Sequence, residues 1–189
     1  VGEEDDVHAS IKKGFAFIVD PIDGTTNFIK DYHVSAISVG LAKDGEKYIG
    51  VVYNPYLDEM FTAERGKGAF LNGRPIHVSR NPLSAGIVLF RTAPYYEELS
   101  KQSFQMAYAY FKKALDVRRS GSAAIDLCSI AAGRAELYFE LRLSPWDFAA
   151  GALIVEEAGG VVTTVEGGAV TLGQKCSVLA TNGRCGRLE

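Results

Sequence analysis

The apolar run from Phe15 to Val19 ends abruptly at Asp20-Pro21, and this boundary constrains the fold more than any other feature of the sequence. A short apolar run that is closed by a turn signal is typical of a buried strand. Three further segments rich in Val, Ile, Tyr and Phe follow, at 34–42, 48–53 and 60–63. Asp44-Gly45 and residues 55–58 separate these segments as antiparallel turns do. The first half of the sequence therefore predicts an antiparallel meander.

Asn72-Gly73 lies between two short strand-like segments, Ala69-Phe70 and 76–78. Asn-Gly is the strongest short-range signal of a two-residue hairpin turn, because both residues accept a positive φ. We therefore predict a β-hairpin centred on this dipeptide.

The second half has a different pattern, in which strand-like and helical segments alternate. The predicted strands are 86–91, 115–118, 137–140, 161–165 and 177–181, and the predicted helices are 95–113, 123–132 and 146–158. Gly133 and Gly159-Gly160 are suited to end the last two helices. Antiparallel strands followed by alternating strands and helices, without a linker or repeat, predict one α+β domain of layered sheets and helices over residues 1–189.

Composition excludes several classes of protein. The chain has 20 Lys+Arg against 23 Asp+Glu and a net charge of -3, so it lacks the broad cationic surface of a nucleic-acid-binding protein. No apolar run reaches the roughly 20 residues of a membrane-spanning helix. The chain has three cysteines, Cys128, Cys176 and Cys185. Their odd number and the absence of zinc-site spacing fit a reducing compartment. We predict a cytoplasmic protein that binds neither nucleic acid nor membrane.

The most informative segment is Asp20-Pro21-Ile22-Asp23-Gly24-Thr25-Thr26-Asn27-Phe28, at the end of the predicted first strand. Pro21 fixes its own φ and biases Asp20 to an extended conformation, so both carboxylates and the Ile22 carbonyl can face one point. Mg²⁺ prefers such oxygen ligands, together with phosphate and water. Gly24 permits close backbone approach, and the following amides can open a short helix that receives phosphate. Asp-Pro and Asp-Gly are also ordinary turn dipeptides, but the complete string favours a shared metal and phosphate site.

Three other acidic positions and one helix start have more than one interpretation. Asp147 follows Ser144-Pro145 as in a capping box, and the spacing favours capping and metal ligation equally. Glu140 ends the predicted strand 137–140, where it needs a partner or lies at the sheet edge. Glu3 belongs to an acidic run that, taken alone, is typical of a solvated face. The helix start at 121–124 is suited to close packing and to ligand hydroxyls, and packing is favoured.

Taken together, these motifs resemble the inositol monophosphatase family of Mg²⁺-dependent, lithium-sensitive sugar phosphatases. The resemblance covers nearly the whole chain: Gly2-Glu3-Glu4, the string from Asp20 to Phe28, the hairpin from Gly66 to Gly73, Gly121-Ser122-Ala123-Ala124, Trp146-Asp147 and Glu157-Ala158-Gly159-Gly160. The first acidic string combined with the later Trp-Asp is highly specific. The resemblance implies a layered α/β sandwich, usually in a homodimer, and Ser144-Pro145 is more typical of bacterial members. Because the sequence begins at Val1 rather than at Met, we also expect a preceding helical segment, which in the family contributes one metal-site aspartate.

The resemblance also implies roles for individual residues. The Mg²⁺ ligands would be the carboxylates of Glu3, Asp20, Asp23 and Asp147 and the carbonyl of Ile22. The catalytic residues would be Glu3, Asp23 and Thr25, with Thr25 orienting the attacking water. Gly24 and Thr25 would bind phosphate through their amides, and Ala123 and Glu140 would contact the sugar hydroxyls. The expected reaction is hydrolysis of a small phosphate ester, inositol-1-phosphate first, by metal-activated water without a phosphoenzyme.

Alternatives to this function remain. A fructose-1,6-bisphosphatase or a 3′-phosphoadenosine phosphatase would share the metal core. Arg118 and Arg119 would then either hold a second phosphate or be exposed residues that aid solubility. An aspartyl-phosphate enzyme is disfavoured because two residues separate Asp20 from Asp23. Some bacterial members of the family act with the transcription machinery, so a protein-binding module is the alternative from another class.

Overall fold

The first half of the chain forms one antiparallel sheet. The computed structural model describes residues 1–2, 11, 13–93 and 96–188. Within it, six strands pair in chain order, and a short helix follows the first strand. These elements are β1 (Phe15–Asp23), α1 (Thr25–Ile29), β2 (Ala36–Lys43), β3 (Glu46–Asn54), β4 (Glu59–Glu64), β5 (Ala69–Leu71) and β6 (Arg74–Ile76). The predicted meander is confirmed, although β1 continues past Val19 to Asp23.

The predicted hairpin at Asn72-Gly73 is also confirmed. Asn72 and Gly73 have φ values of 48° and 75°, and Leu71 pairs with Arg74 across the turn. Positive φ at both central residues is what a tight hairpin turn of this kind requires.

The second half forms a five-stranded mixed sheet with three helices. Its strands, in spatial order, are β10 (Val161–Thr163), β11 (Cys176–Thr181), β9 (Leu137–Leu143), β7 (Ile87–Phe90) and β8 (Asp116–Arg118). The helices are α2 (Glu97–Phe111), α3 (Ala123–Ala131) and α4 (Pro145–Glu157). The predicted alternation of strands and helices is therefore confirmed. Among the described residues, no helix combines the length and the hydropathy needed to cross a membrane.

The two sheets and the helices form layers, as the α+β prediction requires. One core cluster joins Val52 of the first sheet to Leu127 of α3, Phe148 of α4 and Tyr138 of the second sheet. A separate cluster joins α2 to the opposite face of the second sheet, for example at Tyr110. The helices α3 and α4 therefore lie between the sheets, and α2 covers the outer face of the second.

Helix α4 is buried along most of its length because its side chains are apolar or small. The strand β3 approaches it closely at Gly50, where an added Cβ would lie 2.6 Å from the carbonyl oxygen of Ala150. This packing holds α4, and with it the Asp147 carboxylate in its first turn, against the first sheet.

Candidate active site

The end of β1 directs Asp20 and Asp23 toward the same side. Asp20 pairs with Ser38 and Asp23 pairs with Ala36, so β1 has one more residue than β2 over this interval. Residues three apart in a regular strand face opposite sides, and one extra residue reverses that alternation. Pro21 has no N–H to donate, which suits it to this irregular position. Both carboxylates are consequently buried, each 2% exposed.

Asp147 reaches the same point from the first turn of α4. Its Oδ2 accepts a hydrogen bond from the amide of Ser144 at 2.7 Å, as the capping interpretation predicted. Asp20, Asp23 and Asp147 also each place one carboxylate oxygen within 4.8 Å of the other two. Asp147 therefore caps α4 and also belongs to the acidic cluster.

This donor set fits a hard divalent cation. Carboxylate oxygens are the ligands that Mg²⁺ prefers, and a cation would offset the repulsion among three neighbouring acids. Asp20 is oriented by its own loop, because its Oδ1 accepts a hydrogen bond from the Ile22 amide at 3.0 Å. Glu3, the fourth predicted carboxylate, lies outside the described residues. The geometry thus suits Mg²⁺, and ligation by each residue stays a prediction.

The turn after β1 has the backbone geometry expected of a phosphate site, although phosphate binding there stays a prediction. Gly24 has a φ of 89°, and an added Cβ would lie 2.9 Å from the carbonyl oxygen of Val34, so glycine is required. The predicted short helix α1 follows. The Thr25 hydroxyl donates to the Ile22 carbonyl at 3.0 Å. Because that bond uses its only hydroxyl proton, the Thr25 oxygen can act toward a ligand only as an acceptor.

Ser122 is a site residue that our sequence reasoning missed. Its hydroxyl and the amide of Ala124, at 2.8 Å, both donate to Oδ2 of Asp23. The same hydroxyl oxygen caps α3 by accepting from the Ile125 amide at 3.3 Å. The available signal was the helix start at 121–124, since a capping serine can also serve a neighbouring carboxylate.

Glu140 lies in the interior of β9, so the prediction that its strand ends there is wrong. The strand β9 continues to Leu143 and is central in the second sheet, which also rules out the edge position. Glu140 is 3% exposed, and its Oε2 accepts a hydrogen bond from the Tyr138 hydroxyl at 2.9 Å. Burial raises the pKa of Glu140 to about 7, although the Arg91 charge and the Tyr138 hydrogen bond act in the opposite direction.

Arg91, also missed by our sequence reasoning, supplies the cation beside Glu140. Its Nε lies 3.6 Å from Oε2 of Glu140, and its Nη1 lies 3.7 Å from Oδ1 of Asp23. Burial would lower the pKa of Arg91, but the charges of Glu140 and Asp23 outweigh it and keep the pKa above its usual value. A charge directly after the apolar run Ile87–Phe90 was the sequence signal that could have identified this residue.

The acidic cluster, Thr25, Glu140 and Arg91 line one pocket of about 230 Å³, whereas Ser122 lies outside its wall. The predicted site residues on its wall are Asp20, Ile22, Asp23, Gly24, Thr25, Glu140 and Asp147. The structure does not bring Ala123 to this wall: Ala123 is fully buried and does not line the pocket. Its contact with a sugar hydroxyl therefore stays a prediction without support from the pocket geometry.

The arginines proposed from sequence to hold a second phosphate lie elsewhere. Neither Arg118 nor Arg119 lines the pocket. Arg118 forms an ion pair with Asp116, and Arg119 donates to Oγ1 of Thr92 at 3.3 Å. That sequence-based assignment is wrong for this pocket.

Known proteins share both the sequence pattern and the fold. The model of the inositol monophosphatase family matches residues 1–187. A Vibrio cholerae protein named Nus factor SuhB is 43% identical over 169 residues, which are 89% of this chain and 63% of the relative. The Bacillus subtilis inositol-1-monophosphatase is 36% identical over 181 residues, which are 96% of this chain and 68% of that protein. The chain thus spans less than two thirds of the Vibrio relative.

Solved structures agree with this relationship. The inositol monophosphatase from Anabaena (Nostoc) sp. PCC 7120 superposes with a TM-score of 0.89 at 36% identity, covering 97% of this chain and 73% of that one. SaIMPase-II with bound inositol monophosphate gives a TM-score of 0.87 at 32% identity, covering 97% of this chain and 71% of that one. With its acidic cluster, its layered fold and a family match along nearly its whole length, this chain belongs to the inositol monophosphatase family.

Proposed function

We propose that this protein is a Mg²⁺-dependent phosphomonoesterase that hydrolyses a sugar or polyol phosphate, with inositol-1-phosphate as the first candidate. The main support is the cluster of Asp20, Asp23 and Asp147, whose oxygens lie within 4.8 Å of one another on the wall of a pocket. The names of the Bacillus relative and of the ligand in SaIMPase-II support the choice of substrate.

The acidic cluster would hold the metal, together with the Ile22 carbonyl and Glu3 as the family resemblance implies. Bound Mg²⁺ lowers the pKa of water and offsets the charge that develops during phosphoryl transfer. The protein prepares this cluster in advance: Ser122 and Ala124 hold one oxygen of Asp23, and Ser144 holds one oxygen of Asp147.

Thr25 would orient the attacking water. Its hydroxyl proton is engaged by the Ile22 carbonyl, so its oxygen is left to accept a hydrogen bond from the water. Glu3 would help to hold the same water, as the resemblance implies. The water would attack phosphorus in line with the leaving oxygen, and no covalent phosphoenzyme is required.

The alcohol part of the substrate would lie against Glu140 and Arg91. Both line the pocket, and they supply an acceptor and a donor for sugar hydroxyls. Gly24 would bring backbone close to the phosphate, since no side chain separates them.

We also propose that the protein works as a homodimer in the cytoplasm. Sedimentation would measure the oligomeric state, and cell fractionation would measure the localisation.

A role with the transcription machinery is a second candidate. The observation that favours it is the name Nus factor SuhB of the Vibrio relative. The two functions are separable: a protein with Asp20→Asn and Asp147→Asn should lose hydrolysis yet retain a transcription partner if binding is the function. If neither the unaltered protein nor the double variant binds a transcription partner, the result would argue against a role with the transcription machinery.

The direct test is phosphate release from inositol-1-phosphate by the intact protein, with Mg²⁺ and then with added Li⁺. Asp20→Asn should nearly abolish release while the unfolding transition stays close to that of the unaltered protein. Asp116→Asn is a matched control, because Asp116 pairs with Arg118 outside the pocket. A normal steady-state rate in Asp20→Asn would refute the assignment.

A further inference from the structure

We propose that Asp126 is a positioning residue of the active site, whose carboxyl group holds the turn 120–122 and, through Ser122, sets the orientation of Asp23. Asp126 lies in the first turn of α3, is 1% exposed and does not line the pocket. The inference rests on the proposed function where it concerns Mg²⁺, because Asp23 is a predicted metal ligand. The packing around Asp126 does not depend on that function.

The carboxyl group of Asp126 has few partners for a buried acid. Its hydrogen-bond partner is Ser120, which precedes α3. Its Oδ2 has no hydrogen-bond partner among the residues that the structure describes, and no ion pair between those residues includes Asp126. The bond to Ser120 is therefore the contact through which Asp126 can act on the site.

The turn 120–122 connects this contact to the acidic cluster. The Ser120 oxygen accepts a hydrogen bond from the Ser122 amide at 3.0 Å, and the Ser120 hydroxyl donates to the Ser122 carbonyl at 3.2 Å. Ser122 donates in turn to Oδ2 of Asp23. A displaced Ser120 would therefore move the residue that fixes the Asp23 carboxylate.

The same turn is held from its other side by the short helix α1. The Asn27 side-chain amide donates to the Ser120 carbonyl at 2.9 Å and to the Val34 carbonyl at 2.7 Å. Gly121, which lines the pocket, has a φ of 93°, and an added Cβ there would lie 2.9 Å from Nδ2 of Asn27. The turn is thus held between Asn27 of α1 and Asp126 of α3.

The hydrogen bonds of Ser120 are satisfied when Asp126 is a neutral acid. The single hydroxyl proton of Ser120 is directed to a backbone carbonyl of the turn, so its bond with Asp126 uses a proton from Asp126. Burial raises the pKa of Asp126 well above its ordinary value, and the charges of Asp23 and Glu140 add to this, against the opposing effects of Ser120 and Arg91. A neutral carboxyl group also carries an unpartnered oxygen at lower cost than a carboxylate.

The first test is calorimetric Mg²⁺ titration of variants of the intact protein. Asp126→Leu removes the hydrogen bond and should lower Mg²⁺ affinity by about three- to tenfold, less than the roughly 10- to 100-fold typical of a direct partner of a ligand. Asp126→Asn can still donate to Ser120 and should retain the affinity within about twofold. Ser120→Ala should lose as much as Asp126→Leu, and the double variant should lose no more than either, because both changes remove one contact.

Ser103→Ala is the control for removal of a buried hydroxyl. Ser103 is fully buried in α2, and its hydroxyl has no partner among the described residues. Its removal should leave Mg²⁺ affinity unchanged. Full affinity in both Asp126→Leu and Ser120→Ala would overturn the positioning role, even if stability falls, as would an Asp126→Asn protein that is as impaired as Asp126→Leu. Ser120→Ala keeps the test decisive if Asp126→Leu does not fold.

A second test needs no metal. The infrared difference between the unaltered protein and Asp126→Asn at neutral pH should contain the C=O band of a protonated carboxylic acid. The side-chain amide hydrogens of Asn27, followed by NMR, should exchange faster with solvent in Asp126→Leu than in Asp126→Asn. A carboxylate band instead, or equal exchange in the two variants, would overturn the inference. Both expected results in a protein that binds no Mg²⁺ would support the role of Asp126 in the turn and refute the proposed function.

Discussion

The hydroxyl of Ser122 donates a hydrogen bond to Oδ2 of Asp23 and so joins the start of α3 to the acidic end of β1. The two residues are 99 positions apart in the sequence, and the bond is buried. Since the Ala124 amide donates to the same oxygen, the carboxylate of Asp23 is fixed with Oδ1 toward Arg91. The packing between the first sheet and α3 therefore sets the orientation of a predicted metal ligand.

Removing this hydroxyl should weaken metal binding, and because the same oxygen caps α3 it should also lower the free energy of unfolding by about 1 kcal/mol. In Ser122→Ala, Asp23 keeps only the Ala124 amide as a donor to Oδ2, so its carboxylate becomes less well oriented. Loss of a partner that orients a ligand typically costs about 10- to 100-fold in metal affinity. We expect a loss in this range for Mg²⁺, measured by calorimetric titration.

The matched control is Ser129→Ala on the same helix. The Ser129 hydroxyl donates to the Ile125 carbonyl at 2.8 Å within α3 and does not line the pocket. Its removal should leave Mg²⁺ affinity unchanged within about twofold. Equal affinity in both variants would mean that Ser122 does not position Asp23.

Asp147 allows capping and metal ligation to be separated by the choice of substitution. In Asp147→Asn, the side-chain oxygen can still accept from the Ser144 amide, but the negative charge is lost. We therefore expect a large loss of Mg²⁺ affinity with a free energy of unfolding within about 0.5 kcal/mol of the unaltered metal-free protein.

Asp147→Ala should show both effects, since it also removes the cap. Its metal-free form should be less stable by about 1 kcal/mol, the usual cost of losing a helix N-cap interaction, measured by urea unfolding in EDTA. Full Mg²⁺ affinity in Asp147→Asn would show that Asp147 only caps α4.

Local sequence patterns predicted the elements better than their ends. The strand β1 was expected to stop at Val19 because Asp20-Pro21 is a turn signal, yet the strand absorbs Pro21 in an irregularity of its pairing with β2. Glu140 was expected to end its strand and to need a partner or the sheet edge; the strand instead continues to Leu143, and the partner is Arg91, which follows Phe90 of the neighbouring strand β7. In both cases the deciding partner comes from another strand, which local patterns do not identify.

The same reason explains which site residues were found from the sequence. Asp20, Asp23 and Gly24 are contiguous and form a recognisable motif, and the structure brings them to one pocket. Ser122 and Arg91 act on Asp23 from distant segments and have no motif of their own. Their roles follow from tertiary packing rather than from spacing along the chain.

Gly50 is expected to be essential for the position of α4. A Cβ at this position would lie 2.6 Å from the carbonyl oxygen and 3.1 Å from the Cα of Ala150, and a backbone cannot move aside as a flexible side chain can. Gly50→Ala should lower the free energy of unfolding by about 1 to 3 kcal/mol, the usual cost of overpacking. Because α4 carries Asp147, Mg²⁺ affinity should fall as well.

Urea unfolding and Mg²⁺ titration of Gly50→Ala would check both effects. Gly173→Ala is the control, because an added Cβ there meets nothing within 4 Å. Similar stability of the two variants would show that β3 and α4 can separate without cost.

Glu140 should make the stability of the metal-free protein depend on pH. Its pKa is raised by burial from the ordinary 4.5 to about 7, so between these values the folded protein holds a proton that the unfolded chain has released. The contribution of Glu140 to stability is therefore greatest below about pH 4.5 and is lost as the pH rises to about 7, by at most about 3 kcal/mol.

Glu140→Gln removes this titration, so its stability relative to the unaltered protein should increase as the pH rises from about 4.5 to 7 and then stay constant. Urea unfolding in EDTA across this range measures the difference directly, and EDTA keeps metal binding from adding its own pH dependence. Glu98→Gln makes the same chemical change at an exposed position of α2 and controls for the substitution itself. A stability difference between Glu140→Gln and the unaltered protein that does not vary with pH would show that Glu140 is already ionised throughout, with Arg91 outweighing the effect of burial.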